Sequence, residues 1–439
     1  MIRAFLALSL TVLLAAPLRA EGVPIQEVTS PGGIDAWLVE ERSIPFTALE
    51  ILIKGGQALD PADKRGATNL MMGLLEEGAG ELDAQAFSAA RDGLAASFTF
   101  DSSRDAISIT ARFLSENRDE ALALLREALI NPRFDQFALD RVREQVLSGL
   151  RSDVLDPNEM ASRTLSTLGY DDSHPYAHKT EGNLESVGAL TREDIVTAHR
   201  NALVKDRIYV GVAGDINAEE LGVLLDDLLG DLPTSTVPLP EQTAFAAPGG
   251  VTVVDFDTPQ SVALFGHSGI PRDDPDFFAA FVANQIFGGG GRQSRLSDEV
   301  REKRGLTYSV GSYIVNREYA DLVIGQLASA NDRIAEAIDV VKEEWARIAE
   351  TGVTAEELEE AKTYMTGSYP LRFDGNGRIA GILVVMQGQG LGVEYINERN
   401  DKVNAVTLED IERVAKRIYR PEDLRFVVVG KPQGVEAVN

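Results

Sequence analysis

The sequence predicts an α+β fold made of two similar domains, each an antiparallel-rich sheet packed with helices. Three observations carry this expectation. Strand-like groups are followed by groups of helices, the same order of elements occurs twice, and a proline-rich stretch without periodicity lies between the two occurrences.

The first twenty residues stand apart from both occurrences. Arg3 gives a charged start, Ala4 to Pro17 form an apolar run, and Leu18-Arg19-Ala20 ends in a small residue before Glu21. This is the pattern of a cleaved signal peptide over residues 1–20. The apolar run is short for the roughly 20 residues that span a bilayer. The mature chain is therefore expected to be soluble and exported, and periplasmic if the source is a Gram-negative bacterium.

In the first domain, residues 21–232, Thr47 to Lys54 is strand-like, and a helical stretch follows from about Arg65 to Glu77. A second helix covers roughly Asp83 to Asp92. The alternating runs Ala95–Asp101 and Ala106–Phe113 then read as a hairpin. A helix from Asn117 to about Ile130 precedes Pro132, and Asp135 opens another that runs towards Leu150.

The stretch PTSTVPLPEQTAFAAPGG, residues 233–250, holds four prolines and suits neither helix nor strand, so it reads as a linker. The second domain, residues 251–439, repeats the earlier order. Ser261–Gly266 is a strand, and Asp274-Pro275 caps a helix that runs to Phe287 and stops at Gly288. A short helix near Leu296–Lys303 comes before alternating strands at Tyr308–Asn316 and Ala320–Leu327. Asn331–Glu350 is a long helix, and Thr354-Ala-Glu-Glu357 is a capping box that starts the next. The likeness extends to the letters. Phe113–Leu129 and Leu327–Trp345 each leave a strand at a Ser-X-Asn step and enter an amphipathic helix.

Composition limits the partners. The formal charge is −27, and removing a leader with two arginines and no acid brings it to −29. An acidic excess of that size repels phosphate backbones and argues against a nucleic-acid partner. Cysteine is absent, which excludes disulfides, thiolate metal sites and a cysteine nucleophile.

The segment GGGGRQSRLSDEVREKRGLTYSVGSY, Gly288 to Tyr313, resembles the second-domain signature of pitrilysin/insulinase-type peptidases, a family that includes the mitochondrial processing peptidases and related respiratory-complex core proteins. His174-Pro175-Tyr176 with Gly182 resembles an HPY…G stretch of the first domain. Leu190–Leu203 followed by Val210–Ile216 resembles that domain's closing helix and strand, and Ala405–Gly430 repeats the ending. The resemblance covers nearly all of the mature chain. It implies two α+β domains that enclose a cleft.

The resemblance also implies a chemistry. Active relatives place HxxEH on one helix, where two histidines on one face bind zinc and the glutamate acts as general base, and a later glutamate completes the ligand set. The matching helix here is GATNLMMGLLEEG, Gly66 to Gly78. Laid on it, the histidines become Asn69 and Gly73 and the base becomes Met72. The later ligand falls near Gly149, 76 residues beyond Gly73. Only four histidines exist, His174, His178, His199 and His267, and none can be shifted into the motif. Asn69 is a poor zinc ligand, and Met72 and Gly73 offer no usable donor. This chain is therefore expected to hold no cofactor and to have no catalytic residue of its own.

His174 and His178 have the i, i+4 spacing of a metal pair, but Pro175 opposes a continuous helix through both, so a structural or surface role is the better reading. Gly288–Gly291 lacks the GK[ST] ending of a phosphate loop and reads as a turn where backbones approach closely. In active relatives an arginine and a tyrosine seven positions apart reach the bound peptide near the scissile carbonyl, and Arg301 and Tyr308 match those positions. Locally, Arg301 ends a helix, Gly305 permits a reversal, and Tyr308 begins a strand. A guanidinium and a phenol suit a carbonyl oxygen that gains negative charge. Glu299, Glu302, Lys303, Arg304 and the pair Glu76-Glu77 read as solvated helix charges.

The leading expectation is the non-metal-binding subunit of an exported two-chain peptidase. It would form a heterodimer with a homologous partner that carries HxxEH and the zinc, and would contribute Arg301 and Tyr308 to a peptide substrate. The alternative is a non-catalytic structural or peptide-binding homologue. An enzyme of unrelated chemistry is a third reading, for which no Ser-His-Asp or paired-carboxylate arrangement can be placed.

Overall fold

The structure, a computed structural model, describes residues 23–438. The leader expected over residues 1–20 lies outside the described residues. The chain forms two large sheets, each with helices on both faces.

In the first half, β1 (Gln26–Thr29), β2 (Asp35–Glu40) and β3 (Phe46–Lys54) are followed by a two-residue ladder, β4 (Gly78–Ala79) and β5 (Leu82–Asp83). The hairpin β6 (Ser97–Ser102) and β7 (Ala106–Leu114) comes next, and β8 (Ile208–Gly214) enters last. The sheet order is β1-β2-β8-β3-β7-β6, with β2 and β8 parallel and the other neighbours antiparallel. Alternation sets the faces: Ile107, Ile109, Ala111 and Phe113 of β7 point into one core while Ser108, Thr110 and Arg112 point away.

The second half contains β9 (Gly250–Asp255), β10 (Gln260–Ser268), β11 (Val310–Asn316), β12 (Asp321–Ala330) and β13 (Arg425–Gly430), in the order β11-β12-β10-β13-β9. Here β9 and β13 are parallel, as β2 and β8 are, and the other neighbours are antiparallel. The five strands therefore match β6, β7, β3, β8 and β2 one for one. Val438 pairs antiparallel with Val251, taking the place that β1 holds beside β2. The α+β class holds, and the internal repeat is one of topology.

Each sheet carries its own helices on one face. In the first half Leu70, Met71, Leu125, Leu129 and Leu139 meet the strands, and in the second Phe265 stacks on Phe426 with Trp345 against its edge. The opposite faces are covered by exchange. Helix Pro157–Gly169 of the first half lies on β10 and β13 through Ala161 and Leu165, while helix Asn376–Gly388 of the second lies on β8, β3 and β2 through Ile379, Ala380 and Leu383. Approach is so close that a Cβ on Gly211 would stand 2.3 Å from the Ala380 carbonyl oxygen. Burying Leu383 fully contributes about 1.5–3 kcal/mol. The two halves are thereby tied by helices as well as by the connecting segment.

Residues 233–250 form neither helix nor strand until Gly250 opens β9. The segment is nonetheless fastened down. Phe245 is buried with its ring 5.5 Å from that of Tyr170, and the Thr243 amide donates to the Tyr319 carbonyl at 2.8 Å.

Three expected elements differ. The helix read over Arg65–Glu77 spans only Ala67–Met72, because Gly73 caps it and the chain continues in turns to Gly78, whose φ is +114°. Glu76 and Glu77 are not a solvated helix end: Glu76 pairs with Arg91 at 2.7 Å and Glu77 with Arg141 of helix Gln136–Asp153. The helix expected from Asp274 to Phe287 runs from Phe277 to Asn284 and widens into a π turn over Gln285–Gly289. The strand expected from Tyr308 begins at Val310, which leaves Tyr308 in the approach loop.

Candidate functional site

Helix Ala67–Met72 is the helix on which the resemblance implied the metal motif. Gly66 enters it at φ +96°, and a Cβ there would stand 2.6 Å from the Glu181 carbonyl oxygen. The Asp60 carboxylate accepts the Gly66 amide at 3.0 Å, the Thr68 amide at 3.1 Å and the Thr68 hydroxyl at 2.6 Å. Burial pushes Asp60 up to about 6 even against those hydrogen bonds. The start of this helix is thus a finished structural joint.

Its other end has no metal chemistry. Asn69 is half-buried, Met72 is 2% exposed in the first core, and Gly73 is the C-cap. Gly149 is exposed on helix Gln136–Asp153, with open space where a side chain would project. One amide, a thioether turned into a core and two positions without side chains do not fit a zinc ion. Among the described residues no three His, Asp or Glu side chains are grouped to hold an ion.

The histidines are engaged elsewhere. His174 accepts the Tyr176 amide at Nδ1, 3.1 Å, and donates from Nε2 to the Glu241 carbonyl at 3.1 Å. His178 Nε2 lies 2.7 Å from the Asp172 carbonyl oxygen. The two rings therefore address different backbone groups, with Pro175 starting a short 3-10 turn between them. His199 is bonded to the Leu129 carbonyl and His267 lies between the Ser268 carbonyl and the Trp345 indole; burial pushes both below the ordinary histidine range.

Arg301 and Tyr308 are brought together. Arg301 sits in a π turn, Ser297–Glu302, rather than at the end of an α-helix. The Gly305 amide donates back to the Arg301 carbonyl at 2.8 Å, and Gly305 reverses the chain at φ +59°. The next residues are anchored to β12, with the Thr307 hydroxyl on the Ala328 carbonyl at 2.7 Å and the Ser329 hydroxyl on the Leu306 carbonyl at 2.5 Å. Tyr308 is then returned over Arg301, whose guanidinium carbon lies 5.1 Å from the ring centroid. The ring is 79% exposed. Gly288 serves the same corner: a Cβ on it would stand 2.6 Å from the Ser312 amide nitrogen, so β11 can approach only a glycine.

Glu299 is not a solvated charge. It is 7% exposed and receives Arg304 at 2.6 Å, Lys303 at 2.7 Å and Arg347 at 3.5 Å. Burial opposes its charge, but the hydrogen bonds from Arg304 and Lys303 outweigh burial and hold the carboxyl down at about 2. Lys303 and Arg304 were recognisable as near neighbours, whereas Arg347 lies 48 positions away and left no local signal. This network braces the turn that presents Arg301.

The chain matches the model described as "Insulinase (Peptidase family M16)" over residues 37–174 and that described as "Peptidase M16 inactive domain" over residues 189–365. The chain belongs to the M16 peptidase family. A protein of Helicobacter pylori called non-peptidase homolog YmxG is 26% identical, with 94% of this chain and 95% of that one aligned. A probable mitochondrial-processing peptidase subunit beta of Schizosaccharomyces pombe is 24% identical over 87% of this chain and 86% of its own. A solved structure of a peptidase M16 inactive domain from Pseudomonas fluorescens superposes with a TM-score of 0.87 at 25% identity, covering 95% of this chain and all of that one. These likenesses are consistent with an inactive M16 homologue in a non-catalytic role.

Proposed function

We propose that this chain is the non-metal-binding subunit of an exported two-chain peptidase. A homologous partner carries HxxEH and the zinc, and this chain contributes substrate-binding and transition-state-stabilising groups, Arg301 and Tyr308. The observation that supports this reading is the state of Tyr308. Its phenol is exposed, has no hydrogen-bond partner among the described residues, and is held beside a guanidinium by a braced turn. A phenol and a guanidinium so placed can donate to a peptide carbonyl oxygen, and the interaction strengthens as that oxygen becomes negative. The name of the Schizosaccharomyces pombe relative, a subunit, agrees with action as one of two chains.

A second reading, a structural or peptide-binding homologue without any part in hydrolysis, is favoured by the non-peptidase name of the Helicobacter pylori relative. Co-expression with exported HxxEH homologues from the same source separates the two. The subunit reading expects a 1:1 complex on size-exclusion chromatography that cleaves peptides neither chain cleaves alone. A chain that stays monomeric beside every such homologue contradicts it.

A further inference from the structure

A cavity of about 950 Å³ opens between helix Asn376–Gly388, helix Phe277–Asn284 and the end of β11. Four arginines line it, Arg272, Arg372, Arg378 and Arg399, and no aspartate or glutamate does. In a chain of net charge −27 this is a local inversion of sign. Several arginines elsewhere are matched by acids, among them Arg295 with Glu357, Arg304 with Glu299, Arg413 with Asp276 and Arg417 with Asp274. Among the described residues, none of the four in the cavity has a carboxylate within 4.0 Å.

Two of the four are built into the wall. Arg399 is 4% exposed, donates to the Met365 carbonyl at 2.8 Å and lies 4.6 Å from the centre of the Tyr369 ring. Arg272 lies 4.0 Å from the Phe277 ring centroid and is hydrogen-bonded to the Tyr395 hydroxyl. Stacking and helix capping explain those two. They do not explain Arg372 and Arg378, which are exposed at the rim, or why the lining lacks acid. Of the acids that follow Arg272, Asp274 and Asp276 are matched by Arg413 and Arg417, and Asp273 is exposed and does not line the cavity. The rest of the lining is apolar, with Phe281, Ile382, Met386, Leu391 and a Val385 that is 50% exposed on the helix face.

We infer that this cavity binds a small amphiphilic anion, with an acid headgroup among the four arginines and an apolar body against Ile382, Val385 and Met386. The volume lies in the range of small-molecule sites, in which apolar walls supply burial and a few polar groups fix orientation. Guanidinium forks match carboxylate and phosphate oxygens in pairs, and the lining of the cavity holds no carboxylate to compete with a headgroup. The site shares no residue with the Arg301–Tyr308 corner, so the inference stands whether or not the chain acts as a peptidase subunit.

The test is isothermal titration of the full mature chain with decanoate and decyl phosphate below their micelle concentrations, and with decyl maltoside as the uncharged control. The expected result is saturable 1:1 binding of one or both acids, the two arms deciding which headgroup is preferred, with the maltoside at least about tenfold weaker. Arg372→Ala/Arg378→Ala, at exposed positions, is expected to weaken the acid about tenfold, the size of one lost charge-assisted hydrogen bond. Val385→Trp fills the cavity from an exposed position and is expected to abolish binding while circular dichroism and the melting temperature stay unchanged. Equal affinity for decyl maltoside, unchanged affinity in either variant, or no binding of either acid would overturn the inference. Tighter binding of an acidic peptide without an alkyl chain would also overturn it, because the ligand class would be wrong.

Discussion

The phenol oxygen of Tyr176, in the first half of the chain, accepts the amide of Tyr319, in the second, at 3.1 Å. The same hydroxyl donates to the Asp105 carboxylate at 2.8 Å, and burial together with that carboxylate pushes the phenol well above the ordinary tyrosine range. Around it Lys54 pairs with Glu318 at 2.8 Å, and Arg104 and Arg317 both lie against the Tyr176 ring. One hydroxyl thus joins the two halves at a buried seam.

Tyr176→Phe removes that hydroxyl and leaves the Tyr319 amide without its acceptor. A loss of about 1–3 kcal/mol is expected, the cost of an unsatisfied buried donor. Urea unfolding followed by fluorescence measures it. A midpoint equal to wild type would show that the seam does not couple the halves.

The positions of the missing metal motif respond unequally. Met72 is packed in the core, so Met72→Glu buries a carboxylate and is expected to destabilise the chain by several kcal/mol, on the order of 3. Gly149→Glu projects into open space and is expected to stay within about 0.5 kcal/mol of wild type. Paired denaturant melts decide this. Equal stability of the two variants would mean that the helix is not held as described.

Glu299 titrates near 4.5 when unfolded and at about 2 in the native turn. The native state therefore binds this proton less readily, so the stabilisation is complete above about pH 4.5 and is lost as pH falls towards 2. A tenfold difference in proton affinity is worth about 1.36 kcal/mol, and the solvent-exposed Lys303 and Arg304 reduce the whole effect to about 1–2 kcal/mol. Glu299→Gln should be less stable than wild type at pH 7, and the gap should narrow as pH falls from about 4.5 towards 2. A gap independent of pH contradicts the network.

The repeat was readable because strand alternation and capping boxes are local signals: Thr354 and Glu357 form the box that their spacing predicts, and Asp83 caps helix Ala84–Gly93. The exchange of helices was not. Asn376–Gly388 is apolar nearly all round, which marks a helix as buried but says nothing about which sheet covers it. The helix at Ala67 is shorter than the apolar pattern suggests because that pattern continues through Leu74 and Leu75, whereas the helix is capped at Gly73. The proximity of Arg301 and Tyr308 was legible from the family resemblance together with the reversal that Gly305 permits. The burial of Glu299 could not, since Arg347 reaches it from another helix.

The purified chain is expected to retain no stoichiometric zinc after dialysis and to cleave no peptide alone, because Asn69, Met72, Gly73 and Gly149 supply no ligand set. Metal analysis beside a peptide-library digest checks both. One tightly held zinc per chain, or cleavage that a chelator stops, contradicts this.

The central claim is that Tyr308 donates to the substrate in an assembled complex, and Tyr308→Phe tests it with one oxygen removed. The side chain is exposed, so folding, partner binding and the zinc content of the partner should be unchanged. Loss of one transition-state donor costs about 2.7–4 kcal/mol, so kcat of the complex is expected to fall by about 10²–10³ with KM little altered. Arg301→Ala should show a comparable loss, and the double variant less than the product of the two if both groups serve one oxygen. An intact Tyr308→Phe complex with the kcat and KM of wild type would contradict the account.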